Sequence, residues 1–165
     1  MRVVIGFGGN VGDVESAFRE ARARLAEASR LVGSSDVYRT RAVGPPDQPD
    51  YLNAAVLVEW PGRLPALLDL CQELEAAAGR DRTVERRWGP RTLDLDLLVA
   101  DGIVCRGPRL RLPHPRLAKR PFALVPVADV TPDWVVPPDG RTMAERVHDL
   151  PASERAAVAR LPGGW

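Results

Sequence analysis

Short apolar runs and amphipathic segments alternate along the first part of the chain. Val3 to Phe7 is a β-branched apolar run that ends in Gly8-Gly9-Asn10, which predicts a buried strand followed by a turn. From Val14 to about Ser29, apolar residues recur at helical spacing against charged ones, and Asp13 is placed to cap the segment. The chain is therefore predicted to open with a strand and a one-sided helix.

Two further strands are predicted on either side of a long loop. They extend from Leu31 to Arg39 and from Leu52 to Trp60, and the segment 41–50 between them is rich in Gly, Pro and Asp. This connection is too long for a tight hairpin, which makes it a candidate for function. After the break at Pro61-Gly62, a second amphipathic helix is predicted from Leu64 to near Gly79.

A fourth core strand is predicted around Asp94 and Asp96. It leads to Asp101-Gly102, a hairpin signal that predicts a short antiparallel return from Ile103 to Cys105. The order up to this point is β-α-β-β-α-β, the split arrangement of ferredoxin-like sheets with helices on one face. We therefore expect an α+β fold with a mainly antiparallel sheet.

The rest of the chain is less regular. Short helices are predicted from Pro121 to Asp129 and from Thr142 to Asp149. No repeat, low-complexity tract or linker separates these segments from the core. Residues 1–165 are therefore expected to form a single domain, which is large enough to bury one core.

The two acids of the fourth strand are the strongest chemical signal. A strand turns successive side chains to opposite faces, so Leu93, Leu95 and Leu97 should face one way while Asp94 and Asp96 face the other. Neighbouring carboxylates repel each other, and hard divalent ions such as Mg²⁺ prefer oxygen ligands of this kind. A magnesium site is the leading hypothesis. The alternative is an edge strand with one wet face, where alternating polar residues need no function.

Arginines are concentrated just before this strand. They are Arg80, Arg82, Arg86, Arg87 and Arg91. A guanidinium group can donate two parallel hydrogen bonds to a phosphate group. The cluster therefore suggests that the partner of the ion is a nucleotide polyphosphate. The competing interpretation is an ordinary solvated basic loop.

Composition excludes several classes of function. The net charge of +1 argues against a generic nucleic-acid binder. Cys71 and Cys105 are far apart and lack nearby paired histidines, so neither a disulfide framework nor a zinc site is indicated. The apolar N-terminal run is too short for a signal peptide, and no run approaches membrane-spanning length. A cytoplasmic protein with no membrane partner is expected.

Four motifs together resemble a known family. They are Tyr38-Arg-Thr40, Gly44-Pro-Pro-Asp-Gln-Pro-Asp-Tyr-Leu-Asn-Ala-Ala-Val56, Arg87-Trp-Gly-Pro-Arg-Thr-Leu-Asp-Leu-Asp96, and Pro113-His-Pro-Arg116 with Arg120 and Phe122. Their order and spacing resemble those of the 6-hydroxymethyl-7,8-dihydropterin pyrophosphokinases of folate biosynthesis, over nearly the whole chain. The resemblance implies a ferredoxin-like αβα sandwich and transfer of pyrophosphate from ATP to the hydroxymethyl oxygen of the pterin, with release of AMP.

The resemblance also implies a role for individual residues. Asp94 and Asp96 would hold two Mg²⁺ ions along the phosphates of the ATP co-substrate, and Arg82 and Arg91 would join them as catalytic residues. The residues implied for ATP binding are Gln72, Arg80, Arg82, Arg91, His114 and Arg120. The residues implied for pterin binding are Thr40, Val43, Tyr51, Asn53, Trp88 and Phe122.

Several of these positions have a simpler explanation. A histidine between two prolines, such as His114, is often a structural hydrogen-bonding residue. Asn53 could serve only a cross-strand hydrogen bond. For the whole chain the rivals are an RNA-recognition module on the same fold and an ATP-dependent enzyme with another alcohol as acceptor. Low aromatic content argues against the first, so we expect small-molecule substrates, no nucleic acid and a monomer.

Overall fold

The computed structural model describes residues 1–42, 48–80, 89–137 and 139–165. Its strands are β1 (Arg2–Gly9), β2 (Arg30–Ser34), β3 (Tyr38–Thr40), β4 (Tyr51–Glu59), β5 (Asp94–Ala100), β6 (Cys105–Arg106), β7 (Arg111–Leu112) and β8 (Ala159–Arg160). Its helices are α1 (Val14–Ala28), α2 (Leu64–Ala77), α3 (Pro121–Val130), α4 (Met143–His148) and α5 (Ala152–Ala156). No helix among these described ranges combines the length and apolar character that a bilayer crossing requires.

The main sheet has the strand order β5-β1-β4-β3-β8, and β2 also pairs with β4. Every one of these pairings is antiparallel. The order places the first strand between the third and fourth strands of the βαββαβ core, as a ferredoxin-like sheet requires. The predicted α+β class and the mainly antiparallel sheet are therefore confirmed.

Strand alternation gives the sheet two apolar faces. Val3, Ile5 and Phe7 pack with the buried residues of α1 and α2, while Val4 lies on the opposite face with residues of α3 and α4. Helices thus cover both faces and complete an αβα sandwich. Asp13 caps α1 as predicted, since its carboxylate accepts a hydrogen bond of 3.0 Å from the Ser16 N–H.

One continuous strand was predicted from Leu31 to Arg39. This prediction is wrong, because two separate strands, β2 and β3, occupy the segment. Both β2 and β3 pair with β4, and the ladder is interrupted between them at Ser35. The buried Ser35 hydroxyl accepts the Ala55 N–H at 2.8 Å, and the Ser35 N–H donates to the Ala55 carbonyl at 2.8 Å. The Ser35 hydroxyl therefore replaces a backbone carbonyl as the acceptor for β4, and the regular ladder is interrupted between β2 and β3.

The predicted antiparallel return from Ile103 to Cys105 is shorter than expected. Among the described residues it amounts to a single antiparallel bridge between Ala100 and Ile103, and β6 pairs with β7 rather than with β5. The His114 N–H donates to the Leu98 carbonyl at 2.7 Å. A later segment of the chain therefore meets the outer edge of β5, where the hairpin was expected.

No sequence pattern predicted the packing of the C-terminal segment. Strand β8 pairs with β3, which covers an edge of the sheet. Beyond it, the Trp165 ring lies 5.1 Å from the Phe7 ring and 5.5 Å from the Phe18 ring, measured between centroids. The indole N–H donates to the Ser35 carbonyl at 2.9 Å. Trp165 therefore joins β1, α1 and the segment after β2.

We expect Trp165→Ala to destabilise the protein by about 2 kcal/mol, because it removes aromatic packing and leaves the Ser35 carbonyl without this donor. Urea unfolding would measure the loss. The control is Val32→Ala, which shortens an apolar side chain that is 41% exposed. Equal unfolding midpoints for the two variants would contradict the role of the tryptophan.

Candidate active site

A cleft opens on the α3 face of the sheet, where β1 and β3 end and β4 and β5 begin. Its floor is made by two glycines of β1. Gly8 lies opposite both Asn53 and Asp94, and Gly6 lies opposite Asp96. A Cβ atom at Gly6 would come within 2.6 Å of a Leu98 methyl carbon. The open space is about 860 Å³, solvent at the mouth included, and several polar side chains converge on it, as in small-molecule sites.

Eight of the predicted site residues line this cleft. They are Thr40, Tyr51, Asn53, Arg91, Asp94, Asp96, Arg120 and Phe122. Arg80 and His114 are not part of the lining. Arg80 donates a hydrogen bond to Asp94, and His114 interacts electrostatically with Asp96. Gln72 is half-buried on α2 and is not part of the lining. Predictions for Val43, Arg82 and Trp88 fall outside the described residues.

The acid pair sits as strand alternation predicts. Leu93, Leu95 and Leu97 are buried in the core beneath α1 and α2, while Asp94 and Asp96 line the cleft on the other face. β5 is the terminal strand in the order of the sheet, as the structural alternative requires. Arginines nevertheless lie beside both carboxylates, and these cations favour a binding site over a merely solvated face.

Asp94 is held between two guanidinium groups. Arg80 Nη1 donates to Asp94 Oδ1 at 2.5 Å, and Arg91 Nη1 donates to Asp94 Oδ2 at 3.0 Å. The Arg80 side chain is only 5% exposed, whereas that of Asp94 is 26% exposed. Both carboxylate oxygens are therefore occupied by arginine, and one of these arginines is almost fully buried.

Asp96 is less well compensated. Arg120 faces it at longer range, with Nη1 3.8 Å from Asp96 Oδ2. Burial, followed by repulsion from Asp94, raises the pKa of the Asp96 carboxyl group. The side chain remains 43% exposed, so water screens part of this effect. A cation bound nearby would stabilise the ionised form of this carboxylate.

His114 stands next to the acid pair. Its Nδ1 atom accepts the Arg116 N–H at 3.2 Å, which leaves the proton of the neutral ring on Nε2. Burial lowers the pKa of His114, and the Asp96 carboxylate opposes that change. The ring therefore has the local hydrogen bond of a structural histidine and also lies within electrostatic range of Asp96.

The other end of the cleft carries aromatic and amide groups. Asn53 Nδ2 donates to the Thr40 hydroxyl at 2.8 Å, so the cross-strand bond that was the alternative role of Asn53 exists and joins two predicted pterin residues. The Tyr51 hydroxyl donates to the Gly89 carbonyl at 2.9 Å. The guanidinium carbon of Arg120 lies 5.6 Å from the Phe122 ring centroid, a cation–π contact.

The residues present fit Mg²⁺ in company with a polyanion. Asp94 and Asp96 supply hard oxygen ligands from one face of a strand. Among the described residues, no group of three or more His, Cys, Asp and Glu side chains could hold a metal by itself. Magnesium commonly completes its shell with water and substrate phosphates around one or two carboxylates. Two acids beside several arginines match that requirement.

Two contributors to the site had no role in it assigned from the sequence. Asn10 is 5% exposed, its Oδ1 accepts the Arg91 N–H at 2.9 Å, and its Nδ2 donates to the Pro49 carbonyl at 3.1 Å. Glu75 is 1% exposed and accepts from Arg80. From the sequence, Asn10 matched only a family turn after the first strand, and Glu75 matched only a family position at the structural core, with helical surface polarity as the alternative.

Comparison with known proteins identifies the family to which the chain is similar. Residues 4–132 match the sequence model of 7,8-dihydro-6-hydroxymethylpterin-pyrophosphokinase. A 2-amino-4-hydroxy-6-hydroxymethyldihydropteridine pyrophosphokinase of Synechocystis sp. is 41% identical over 149 residues, which cover 89% of this chain and 75% of the relative. The protein of that name from Methylorubrum extorquens is 40% identical over 154 residues, covering 92% and 95%.

The third relative covers almost all of both chains. It is the enzyme of the same name from Pseudomonas aeruginosa, 37% identical over 165 residues, which are 98% of this chain and 98% of the relative. The motifs around Asn53, Asp94 and His114 lie inside the matched family segment. The chain therefore belongs to the 7,8-dihydro-6-hydroxymethylpterin-pyrophosphokinase family.

Proposed function

We infer that this chain transfers pyrophosphate from ATP to the hydroxymethyl group of 6-hydroxymethyl-7,8-dihydropterin, giving the pterin diphosphate and AMP in folate biosynthesis. Family membership supports the reaction. The observation that carries it is the division of one cleft into two chemical halves. Acids and arginines line one end, aromatic and amide groups line the other, and Gly8 lies between Asn53 and Asp94.

We propose that the triphosphate of ATP occupies the acid end. Arg91 and Arg120 would bind phosphate oxygens, because guanidinium groups lining a partly buried cleft are strong phosphate ligands. Asp94 and Asp96 would hold two Mg²⁺ ions, which when bound neutralise phosphate charge and stabilise the charge that develops on the leaving group. Roles of Gln72, Arg80, His114 and Arg82 in ATP binding stay predictions, as does catalysis by Arg82 and Arg91.

We propose that the pterin occupies the amide end. Asn53 and Thr40 would bind the polar edge of the ring, since an amide and a hydroxyl together supply both donors and acceptors. Tyr51 and Phe122 would cover its faces, because a flat heterocycle binds best between aromatic side chains. Contacts from Val43 and Trp88 stay predictions for residues outside the described part of the chain.

In the reaction the hydroxymethyl oxygen attacks the β-phosphorus of ATP. A bond forms between that oxygen and the β-phosphorus, the bond from the β-phosphorus to the oxygen bridging to the α-phosphate breaks, and AMP leaves with that oxygen. The hydroxyl proton passes to solvent. The residues of the chain act mainly by positioning the two substrates and stabilising charge, which dominate this class of transfer.

Other properties remain predictions from the sequence. They are the single domain over residues 1–165, the monomeric state, the cytoplasmic location and the absence of nucleic-acid partners. An ATP-dependent enzyme with a different alcohol as acceptor is the rival that a direct assay must exclude.

The first test mixes the protein with ATP, MgCl₂ and 6-hydroxymethyl-7,8-dihydropterin, and follows nucleotides and pterins by chromatography. We expect one AMP for each pterin diphosphate, because the β-phosphorus is attacked. ADP as the product, or no consumption of ATP, would reject the reaction.

Separate substitution of Asp94 and Asp96 by Asn should lower kcat by about a hundredfold or more, with a much smaller change in nucleotide affinity, since charge stabilisation is lost in the transition state. Steady-state kinetics and calorimetric titration with a nonhydrolysable ATP analogue measure the two effects. Asp101→Asn, an exposed position in the turn just after the same strand, is the control. Turnover near the control value in both variants would refute the metal assignment.

The same acid pair should weaken the fold. The pKa of Asp96 is raised in the folded state, so its ionisation costs stability above that pKa, and the cost disappears as the pH falls through it. In metal-free protein at pH 7, Asp96→Asn should therefore be more stable than wild type, and the difference should shrink toward pH 4. Thermal unfolding across this pH range measures it. A variant less stable than wild type at pH 7 would contradict the repulsion.

A further inference from the structure

Beneath Asp94 lies a buried ion pair between Arg80 and Glu75. Arg80 Nη1 donates both to Glu75 Oε1 and to Asp94 Oδ1, each at 2.5 Å. The side chains of Arg80 and Glu75 are 5% and 1% exposed. Charges buried this deeply are costly unless they are paired, and removal of one partner is usually strongly destabilising. The guanidinium group thus connects a core glutamate with a cleft aspartate.

The end of α2 creates this connection. Gly79 has a φ of 85°, the left-handed conformation that a glycine adopts without strain. The Gly79 N–H donates to the Ala76 carbonyl at 3.0 Å, and the Arg80 N–H donates to the Glu75 carbonyl at 3.0 Å. These two bonds form a Schellman motif. The motif reverses the chain direction, so that both the backbone and the side chain of Arg80 contact Glu75.

Glu75 also contacts the strand that carries the acids. Its Oε1 atom accepts the Leu95 N–H at 2.8 Å, and Leu95 lies between Asp94 and Asp96. One carboxylate therefore fixes both the backbone between the two acids and the arginine bound to the first of them. Glu75 is not part of the cleft lining, so it acts through other residues.

We propose that Arg80 serves as an internal cation that occupies Asp94 in the nucleotide-free protein, and that Glu75 is the positioning residue that retains it there. Metal and nucleotide then compete with Arg80 for Asp94. After Asp94 changes partner, Glu75 keeps the guanidinium beside the phosphates. This inference rests on the proposed metal site at Asp94 and Asp96.

Charge fixes the direction of each effect. Replacement of Arg80 by Met removes the competing cation, so a divalent ion alone should bind about tenfold more tightly. Replacement of Glu75 by Gln removes a negative charge and leaves Arg80 with Asp94, so the ion should bind several-fold more weakly. The double variant keeps the net charge and lacks the competitor, so its affinity should exceed that of wild type.

The experiment measures binding of Mn²⁺ alone by electron paramagnetic resonance. It compares wild type, Glu75→Gln, Arg80→Met and the double variant, with thermal unfolding of each. Glu73→Gln, an exposed glutamate on the same helix, is the matched control and should bind Mn²⁺ as wild type does. The expected order of affinity is Arg80→Met, then the double variant, then wild type, then Glu75→Gln.

A purely structural ion pair gives a different order. If Glu75 and Arg80 only hold the acids in place, both single variants at these two positions and the double variant should bind the ion more weakly than wild type, and this result would overturn the inference. If a single variant does not fold, the double variant is compared with wild type instead, because it removes both charges of the buried pair and leaves neither without its partner.

Asp94→Asn separates this inference from the proposed function. Mn²⁺ binding by wild type with a nonhydrolysable ATP analogue must depend on Asp94, or the metal site itself fails. If that dependence holds while Arg80→Met does not tighten binding of Mn²⁺ alone, only the role of Arg80 is refuted.

Discussion

The alternation of side chains along β5 is the constraint on which the rest of the structure depends. Its leucines complete the core beneath α1 and α2, and its two aspartates face the cleft. A shift of one residue in the pairing with β1 would bury both acids and expose the leucines. Register is therefore protected by hydrophobic burial, and the same burial fixes the positions of the carboxylates.

Much of the fold could be predicted because its signals are local. Periodicity and capping indicated α1 and α2 nearly to the residue, and apolar runs indicated β1 and β4. The failures came from interactions between distant segments. The interruption of the ladder at Ser35 depends on a hydroxyl that pairs with Ala55, and the outer edge of β5 is met by the segment at His114. Neither pairing leaves a pattern in the sequence around it.

The candidate site shows the same division. Asp94 and Asp96 could be recognised because two acids at strand spacing are unusual in an apolar strand, and the motif resemblance supplied Asn53, Tyr51 and the cleft arginines. The contact between Glu75 and Arg80 could not be recognised, because surface polarity on an amphipathic helix explains a glutamate at this position equally well. Only the fold shows that this carboxylate is buried against Arg80.

The row formed by Asn53, Gly8 and Asp94 crosses three adjacent strands in register. Neighbouring strands are about 4.8 Å apart, so this row spans roughly 10 Å whatever side chains surround it. The sheet thus fixes the distance between the proposed pterin end and the proposed phosphate end of the cleft. A molecule intended to fill both halves of the cleft must bridge that interval, and the missing side chain at Gly8 leaves a channel for its connecting atoms.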